Sequence, residues 1–531
     1  MRISPKLAAL GAAATLVVTA APVGAAPSPA PAAPTSPAAV TLPALTEALA
    51  PQLTSLVEAL RRDLGLTPEQ FLDQAGIGER LAEARPGWEK SFRDAFGGVW
   101  IDDDGNGIVG VAPGDTGDRL RTEALDAGFT VKDVALTTAE LSARERQVVK
   151  IIEGMPADLS DLITGVGIDP VRNAVVVTTR GGDAAQLGNL DARLRDLAVI
   201  DMVDAPDPAN DTAPFGSQGG ETGSDGGPTV EGIEPATTRD GGATGGTTGG
   251  DTGSLGSLAL LNDAGVIPEG PMRTIVDLLS GLTPGTGSII DGMNETVPNP
   301  EPQTRDGLRA AQTPSPDGPV VGGTGYMVGV PGGVLECSTG FNGELGGKPV
   351  VVTAAHCAGE DGARAAFADG EEFGTMTRTT REGIDTALIS VDEQFADRFA
   401  NNLVGTDRDA TQAIIGTARP VVGQKACKTG FRTGFSCGTI SEVDTNIDVA
   451  GSRVIEGAFT VDLCALPGDS GGVVFSGDRA LGISSASNVA DTGTCANAQT
   501  VAEAAGFTPR LSAVPVDDVL AAHPGLSLRT T

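Results

Sequence analysis

Residues 205–319 divide the chain. Gly, Thr, Pro and Asp dominate there, as in "TTRDGGATGGTTGGDTGS" (237–254), and sixteen acids stand against four bases. A stretch so poor in large apolar side chains cannot bury a core, and it reads as a flexible acidic linker. An apolar island, "SLALLNDAGVIPEGPMRTIVDLLSGL" (257–282), interrupts it and fits short helices. No repeat period runs through the stretch, which argues against a structural array. Folding must therefore happen on either side, in residues 43–204 and 320–531.

The 531-residue chain carries a formal charge of −33. Nucleic-acid and anionic-membrane binding both need clustered Lys and Arg, so neither is expected. With only two histidines, His356 and His523, a His-rich metal site is excluded and no cofactor is expected. The N-terminus reads as an export signal over 1–25. Arg2 and Lys6 are its basic start, "LAALGAAATLVVTA" its apolar core, and "VGA" at 23–25 its small-residue cut before Ala26. An Ala/Pro-rich segment, 26–42, follows and reads as disordered. No other stretch is apolar enough for a stable membrane span. Secretion to the extracellular space is the expectation.

Residues 43–204 read as an α/β module. Apolar residues recur at three and four in "LPALTEALAPQLTSLVEALRRDLGL". In "TPEQFLDQ", Thr67 is a cap, Pro68 opens the first turn and Gln70 completes a capping box. "FGGVWIDDDGNGIVGVA" reads as a hairpin, 115–127 as a helix, "LTTAELSARERQVVKIIEGM" as another helix, and "VGIDPVRNAVVVTTR" as a second hairpin. The recurrence suggests two related halves. "DDDGNG" has the acids of a calcium loop but no closing Glu, so a solvated turn is expected.

From Val320 onward the chain turns to short apolar runs and Gly-rich turns, which suit an all-β barrel or sandwich pair. "SAVPVDDVLAAH" closes it as a helix. All six cysteines lie here: Cys337, Cys357, Cys427, Cys437, Cys464 and Cys495. An even number in an exported chain reads as disulfides. Spacing alone leaves fifteen pairings open.

His356 sits in "VVVTAAHCAG" (350–359). A hydroxyl becomes a useful nucleophile when an imidazole takes its proton, and the imidazole needs an acid to fix its tautomer. Ser470 in "CALPGDSGG" (464–472) supplies the hydroxyl. The glycines around it allow the N–H groups of Gly468 and Ser470 to converge as an oxyanion hole. Asp385 heads the alternating run "DTALISV" and is the best-placed acid, ahead of the more turn-like Asp361, Asp369 and Asp392.

"TAAHC", "DTALISV" and "GDSGG", in that order, resemble the chymotrypsin-like serine proteases. "CSTGFNG", "KACKTGFRTGFSCGTI" and "CALPGDSGG" are similar to the secreted actinobacterial branch, the streptogrisins and α-lytic protease. The module's two hairpins resemble that branch's pro-region. The resemblance implies an all-β protease domain of two six-stranded antiparallel barrels, preceded by an α/β pro-domain. It implies a serine endopeptidase with His356 as base, Asp385 orienting it and Ser470 as nucleophile. It implies disulfides Cys337–Cys357, Cys427–Cys437 and Cys464–Cys495. Two positions depart from the family pattern, Ala355 before the histidine and Val473 after "GDSGG"; neither touches the chemistry.

The resemblance also frames activation and specificity. Asp469 pairs either with a freed N-terminal amine near "PVVGGTGYMVG" (319–329) or with an internal base, Lys428 before Arg432; the internal pair is preferred. The pro-domain would template folding of a slow-folding barrel and inhibit it until cut at about 310–322. Ser485, Ala486 and Ser487 are the expected pocket wall, and Ser487 in place of a Gly narrows it toward small or medium apolar P1 residues. Ser484 stands where glutamate-specific relatives use a histidine. Asp462 offers a competing idea, a basic P1 residue. Expected partners are protein or peptide substrates and the chain's own pro-domain, with a monomeric protease. A non-catalytic binding protein on a protease fold is the alternative, and an unbroken triad counts against it.

Overall fold

The computed structural model describes residues 56–179, 184–202, 314 and 318–531, the last without 331–332, 360–361, 381–382, 407–409, 450–452 and 490. The export signal, the Ala/Pro-rich segment and the acidic linker with its apolar island lie outside the described residues. No described helix is long and apolar enough to cross a membrane.

Local signals start the first half of the α/β module. Thr67 Oγ1 accepts from the Gln70 N–H at 3.3 Å and Gln70 Oε1 accepts from the Thr67 N–H at 2.9 Å. This closes the capping box that opens helix α1, Pro68–Ser91. Strands β1 (Phe96–Ile101) and β2 (Gly107–Val111) form the expected antiparallel hairpin. Asp102 spends its carboxylate on its own turn, accepting from the N–H groups of Asp104 and Asn106. Helix α2 (Gly117–Asp126) leads to β3 (Thr130–Asp133), which lies parallel to β2.

The second half repeats that order. A second capping box, Thr137 with Glu140, opens helix α3 (Thr138–Glu153). Strands β4 (Ile163–Asp169) and β5 (Ala174–Thr179) make the second hairpin. Helix α4 (Ala184–Leu194) precedes β6 (Ala198–Met202), parallel to β5. Each half is thus a hairpin, a helix and a parallel third strand.

Beyond residue 318 strands dominate. The first group holds β7 (Gly325–Val330), β8 (Gly333–Ser338), β9 (Asn342–Leu345), β10 (Lys348–Thr353), β11 (Arg364–Ala366), β12 (Glu372–Thr380) and β13 (Thr386–Val391). Two short strands, β14 (Leu403–Gly405) and β15 (Thr411–Ala413), pair with each other. The second group holds β16 (Gly416–Thr417), β17 (Lys425–Gly430), β18 (Gly434–Val449), β19 (Arg453–Asp462), β20 (Val473–Ser476), β21 (Arg479–Ser487) and β22 (Leu511–Pro515). The last strand is β23 (Leu526–Leu528).

Six strands of the second group run β17-β20-β21-β22-β19-β18, and β18 pairs back onto β17, closing a barrel. Its interior packs Ala426, Ile440, Phe459, Val461, Val474 and Leu481. The first group differs from a plain six-stranded barrel. Its sheet runs β23-β9-β10-β13-β12-β11-β7-β8, eight strands including one from the C-terminus. It encloses its own core around Val328, Val351, Phe373 and Ile389.

Two helices complete this region. Helix α5 (Cys495–Ala505) was not legible in the apolar pattern, because "CANAQTVAEAA" buries only small alanines. In "SAVPVDDVLAAH" only Val516–Ala522 is helix α6, since the preceding residues belong to β22 and Pro515 marks the switch.

The module docks on the closed barrel. Strand β4 pairs antiparallel with β18, Val166 opposite Asn446 and Gly165 opposite Ile447. A Cβ on Gly167 would lie 2.5 Å from Thr445 Oγ1, so the approach needs glycine there. Leu60 and Phe71 of the module pack in one cluster with Cys427, Cys437 and Phe475 of the barrel. Arg85 pairs with Asp444 at 2.6 Å and Glu79 with Arg479 at 2.7 Å.

Candidate active site

His356 lies on a short 3-10 turn, Ala355–Ala358, just past the end of β10. Asp385 immediately precedes β13, and β10 and β13 pair with Thr353 opposite Ala387. The two side chains therefore emerge at the same end of neighbouring strands. His356 Nδ1 is 2.6 Å from Asp385 Oδ2, and the His356 backbone N–H donates to Oδ1 at 2.9 Å. A third donor, Ser485 Oγ, reaches Oδ2 at 2.5 Å. The carboxylate is buried, and its contacts favour the tautomer with the proton on Nδ1. Nε2 then presents a lone pair, and it has no hydrogen-bond partner among the described residues.

Ser470 sits partly exposed in the loop between β19 and β20. The loop backs directly onto the strand ends beside the histidine turn. Ser338 N–H donates to the Ser470 carbonyl at 2.8 Å, and Cys357 Sγ lies 3.8 Å from the same oxygen. Gly471 permits this seat: at φ +82° its Cβ would lie 2.2 Å from Thr353 Oγ1. Within the loop the N–H groups of Asp469, Gly471 and Gly472 find backbone acceptors at 2.9, 2.8 and 3.0 Å. Those of Gly468 and Ser470 find none among the described residues. Two donors without backbone acceptors beside a serine suit a developing oxyanion.

Asp469 points away from the cleft. Lys428 Nζ lies 3.2 Å from its Oδ2, with both side chains buried. Thr433 Oγ1 and the Leu466 N–H also donate to Oδ2, at 2.6 and 3.0 Å. The N–H groups of Arg432 and Thr433 donate to Oδ1, each at 2.9 Å. Of the two internal bases considered, Lys428 occupies the site; the Arg432 guanidinium pairs with Asp491 at 2.9 Å instead. Burial pushes the Lys428 amine down, and the Asp469 charge opposes that.

Three disulfides form: Cys337–Cys357, Cys427–Cys437 and Cys464–Cys495. The first ties the end of β8 to the histidine turn. The second joins directly opposed residues of β17 and β18. The third ties the serine loop to α5.

A family model, "Trypsin", matches residues 336–507. Serine protease 2 of Streptomyces fradiae is 31% identical over 153 residues, which is 28% of this chain and 86% of that protein. The chain belongs to the trypsin family. Streptogrisin-C of Streptomyces griseus is 32% identical over 177 residues, 33% of this chain. The match spans only 37% of the length of streptogrisin-C. Among solved structures, Thermobifida fusca protease A is 26% identical, with 40% of this chain and 98% of that chain covered and a TM-score of 0.32.

In the trypsin-family domain a pocket opens beside Ser470. It is lined by the 465–467 segment, by Ser484–Ser487 and by Val489 and Leu511. Ser484 Oγ is buried there with no hydrogen-bond partner among the described residues. Ser485, Ala486 and Ser487 are all among the lining residues, and the Ser485 hydroxyl turns to Asp385. One expectation for the wall needs correction. Asp462 is not among the lining residues; it lies 3.0 Å from the Arg510 Nε, which holds its carboxylate elsewhere. Sequence reasoning missed the role of Ser485 toward Asp385 because the two are a hundred positions apart and no local pattern links them.

Proposed function

We propose that the protein is a secreted serine endopeptidase made with residues 43–204 as a pro-domain. The observation that carries this reading is the buried His356–Asp385 pair, whose Nε2 has no hydrogen-bond partner among the described residues, on a turn whose Cys357 lies against the carbonyl of a partly exposed Ser470. Ser470 Oγ attacks the scissile carbonyl carbon while His356 Nε2 takes its proton. Asp385 holds the imidazole and steadies the imidazolium without itself being protonated. Negative charge forms on the carbonyl oxygen, where the N–H groups of Gly468 and Ser470 meet it. The tetrahedral adduct collapses as the imidazolium protonates the departing amine, leaving an acyl-Ser470. Water, deprotonated by His356, then releases the acid and restores the serine.

The apolar walls of Leu466, Ala486 and Val489 support small or medium apolar P1 residues. An acidic or basic P1 side chain would find no paired charge among the described lining residues, since the Asp469 carboxylate is engaged by Lys428. The docking of β4 on β18 supports a module that holds the barrel as it forms. Ser470 stays partly exposed with that module in place.

Secretion of the full chain and of Ser470→Ala tests the reading. Intact mass and N-terminal sequencing follow processing, with casein cleavage alongside. A mature fragment starting at about 310–322 from the active chain, with Ser470→Ala left uncut, establishes a self-processing protease. Cutting of both with casein activity in the wild type alone assigns maturation to another protease. Absence of casein cleavage and of labelling by a fluorophosphonate overturns the enzymatic reading in favour of a binding protein.

A further inference from the structure

Ser338, the last residue of β8, is fully buried and belongs to the strand group that carries His356. Every polar group it owns is used, and three of the four bonds cross to loops of the closed barrel. Its Oγ donates to the Gly468 carbonyl at 2.7 Å and accepts the Phe431 N–H at 2.8 Å. Its N–H donates to the Ser470 carbonyl at 2.8 Å. Its own carbonyl accepts from Thr353 Oγ1 at 3.1 Å, and Thr353 Oγ1 is 2.8 Å from the Tyr326 hydroxyl.

These bonds bear on one peptide unit. The N–H of Ser470 belongs to the 469–470 peptide. The peptide before it carries the Gly468 carbonyl, and the peptide after it carries the Ser470 carbonyl. Ser338 holds both, one through its hydroxyl and one through its amide. With the flanking planes fixed, the direction of the Ser470 N–H between them, which has no backbone acceptor among the described residues, is fixed as well. Gly468 sits at φ +107°, a conformation reached freely by glycine and therefore also easily left. The Phe431 N–H opens the run whose next two N–H groups bind Asp469. The Ser338 hydroxyl thus joins the oxyanion loop to the turn that grips Asp469.

We propose that Ser338 is a positioning residue for the oxyanion hole, acting through its hydroxyl on the peptide planes that flank the Ser470 N–H. The proposal rests on the serine-protease reading above. Ser338 touches neither the substrate nor the His356–Asp385 pair, so it should govern how well the developing oxyanion is met rather than how the proton moves.

The test compares wild type, Ser338→Ala and Ser338→Thr, each secreted as the full chain and matured. Active sites are counted by the end-point of fluorophosphonate labelling, so that misfolded protein drops out. A wild type that neither labels nor cleaves sinks the protease reading itself, independently of Ser338. With an active wild type, the expected result for Ser338→Ala is a kcat per titrated site lower by roughly 10- to 100-fold. KM and the pH of half-maximal kcat/KM stay in place. Affinity for a peptide aldehyde, which forms the tetrahedral adduct, falls in parallel, while affinity for a non-reacting product peptide does not. Ser338→Thr keeps the donor and recovers most of the lost kcat. An alanine variant with lowered thermal stability but wild-type kcat per site makes the residue merely structural and overturns the proposal. If the alanine variant does not accumulate, the threonine variant decides: a folded form with kcat as low as that predicted for alanine also overturns it.

Discussion

Lys428 and Asp469 are buried against each other at 3.2 Å, directly behind the loop that carries Ser470. Five donors converge on the Asp469 carboxylate, four from the 428–433 segment and one, the Leu466 N–H, from the serine loop itself. The carboxylate is a tether that fixes the 466–470 segment, in which the Gly468 and Ser470 N–H groups have no backbone acceptor among the described residues. Asp469→Asn removes the charge but not the shape, and strands the Lys428 ammonium in the core. Breaking one partner of a buried pair costs about 3–5 kcal/mol. The expected outcome is a urea midpoint lowered accordingly, with kcat lost and little mature enzyme recovered from secretion.

Ser485 Oγ and His356 share Asp385, and all three are buried. Ser485→Ala deletes a hydrogen bond to an ionised group, worth about 1.5–3 kcal/mol where it is made. Part of that loss falls on the step in which His356 becomes charged. Steady-state kinetics should show kcat reduced by roughly tenfold with KM little changed. Asp385→Asn is expected to be far more severe, about ten-thousand-fold in kcat, because it favours the wrong imidazole tautomer. Equal effects of the two substitutions would contradict this ordering.

Ser487 lines the pocket beside Ser470. Ser487→Gly opens space for a larger P1 group without touching the His356–Asp385 pair. The ratio of kcat/KM for a phenylalanine P1 substrate over an alanine P1 substrate should rise by about tenfold, within the range one pocket contact commands. An unchanged ratio across a series of chromogenic peptides would show that specificity is set elsewhere.

Two acids near the module–barrel junction are pushed above the ordinary glutamate value of 4.5. Glu442 on β18 is raised by burial, then by Asp462 and the module's Asp201, against the opposing Arg510 charge and the Thr460 hydroxyl. Glu145 on α3 is raised by burial and by Asp444, against Arg146. A carboxyl raised in the folded state holds its proton there longer than in the unfolded chain. Its stabilising contribution is full below the ordinary range and fades as pH climbs through the raised value. Uncleaved Ser470→Ala protein should therefore lose urea resistance as pH rises above the ordinary glutamate range. Glu442→Gln in that background should flatten the decline. A slope left unchanged by Glu442→Gln would remove Glu442 from the account.

Local chemistry made much of this fold legible. The Thr67–Gln70 capping box and both hairpins of the module depend on residues within a few positions of each other, and each formed as read. The parallel strands β3 and β6 escaped notice because four or five residues give no usable alternation and their partners lie a helix away. The site divides the same way. His356, Asp385 and Ser470 sit in motifs whose spacing carries information. The bond from the Ser485 hydroxyl to Asp385 and the pairing of Asp462 with Arg510 were not legible, because those partners lie far off in sequence and are brought together only by the fold.

The β4–β18 pairing would have a consequence for a protease from which the module is removed, as proposed above. While it is docked, Asn446 and Ile447 belong to the interior of a continuous sheet. Once it goes, the same residues become a strand edge with unpaired backbone groups on an otherwise closed barrel. Such an edge accepts another strand of suitable register, including that of a neighbouring copy. Maturation would thus trade an intramolecular seam for a sticky border, and the shelf life of a concentrated mature enzyme would be governed by how that border is kept apart.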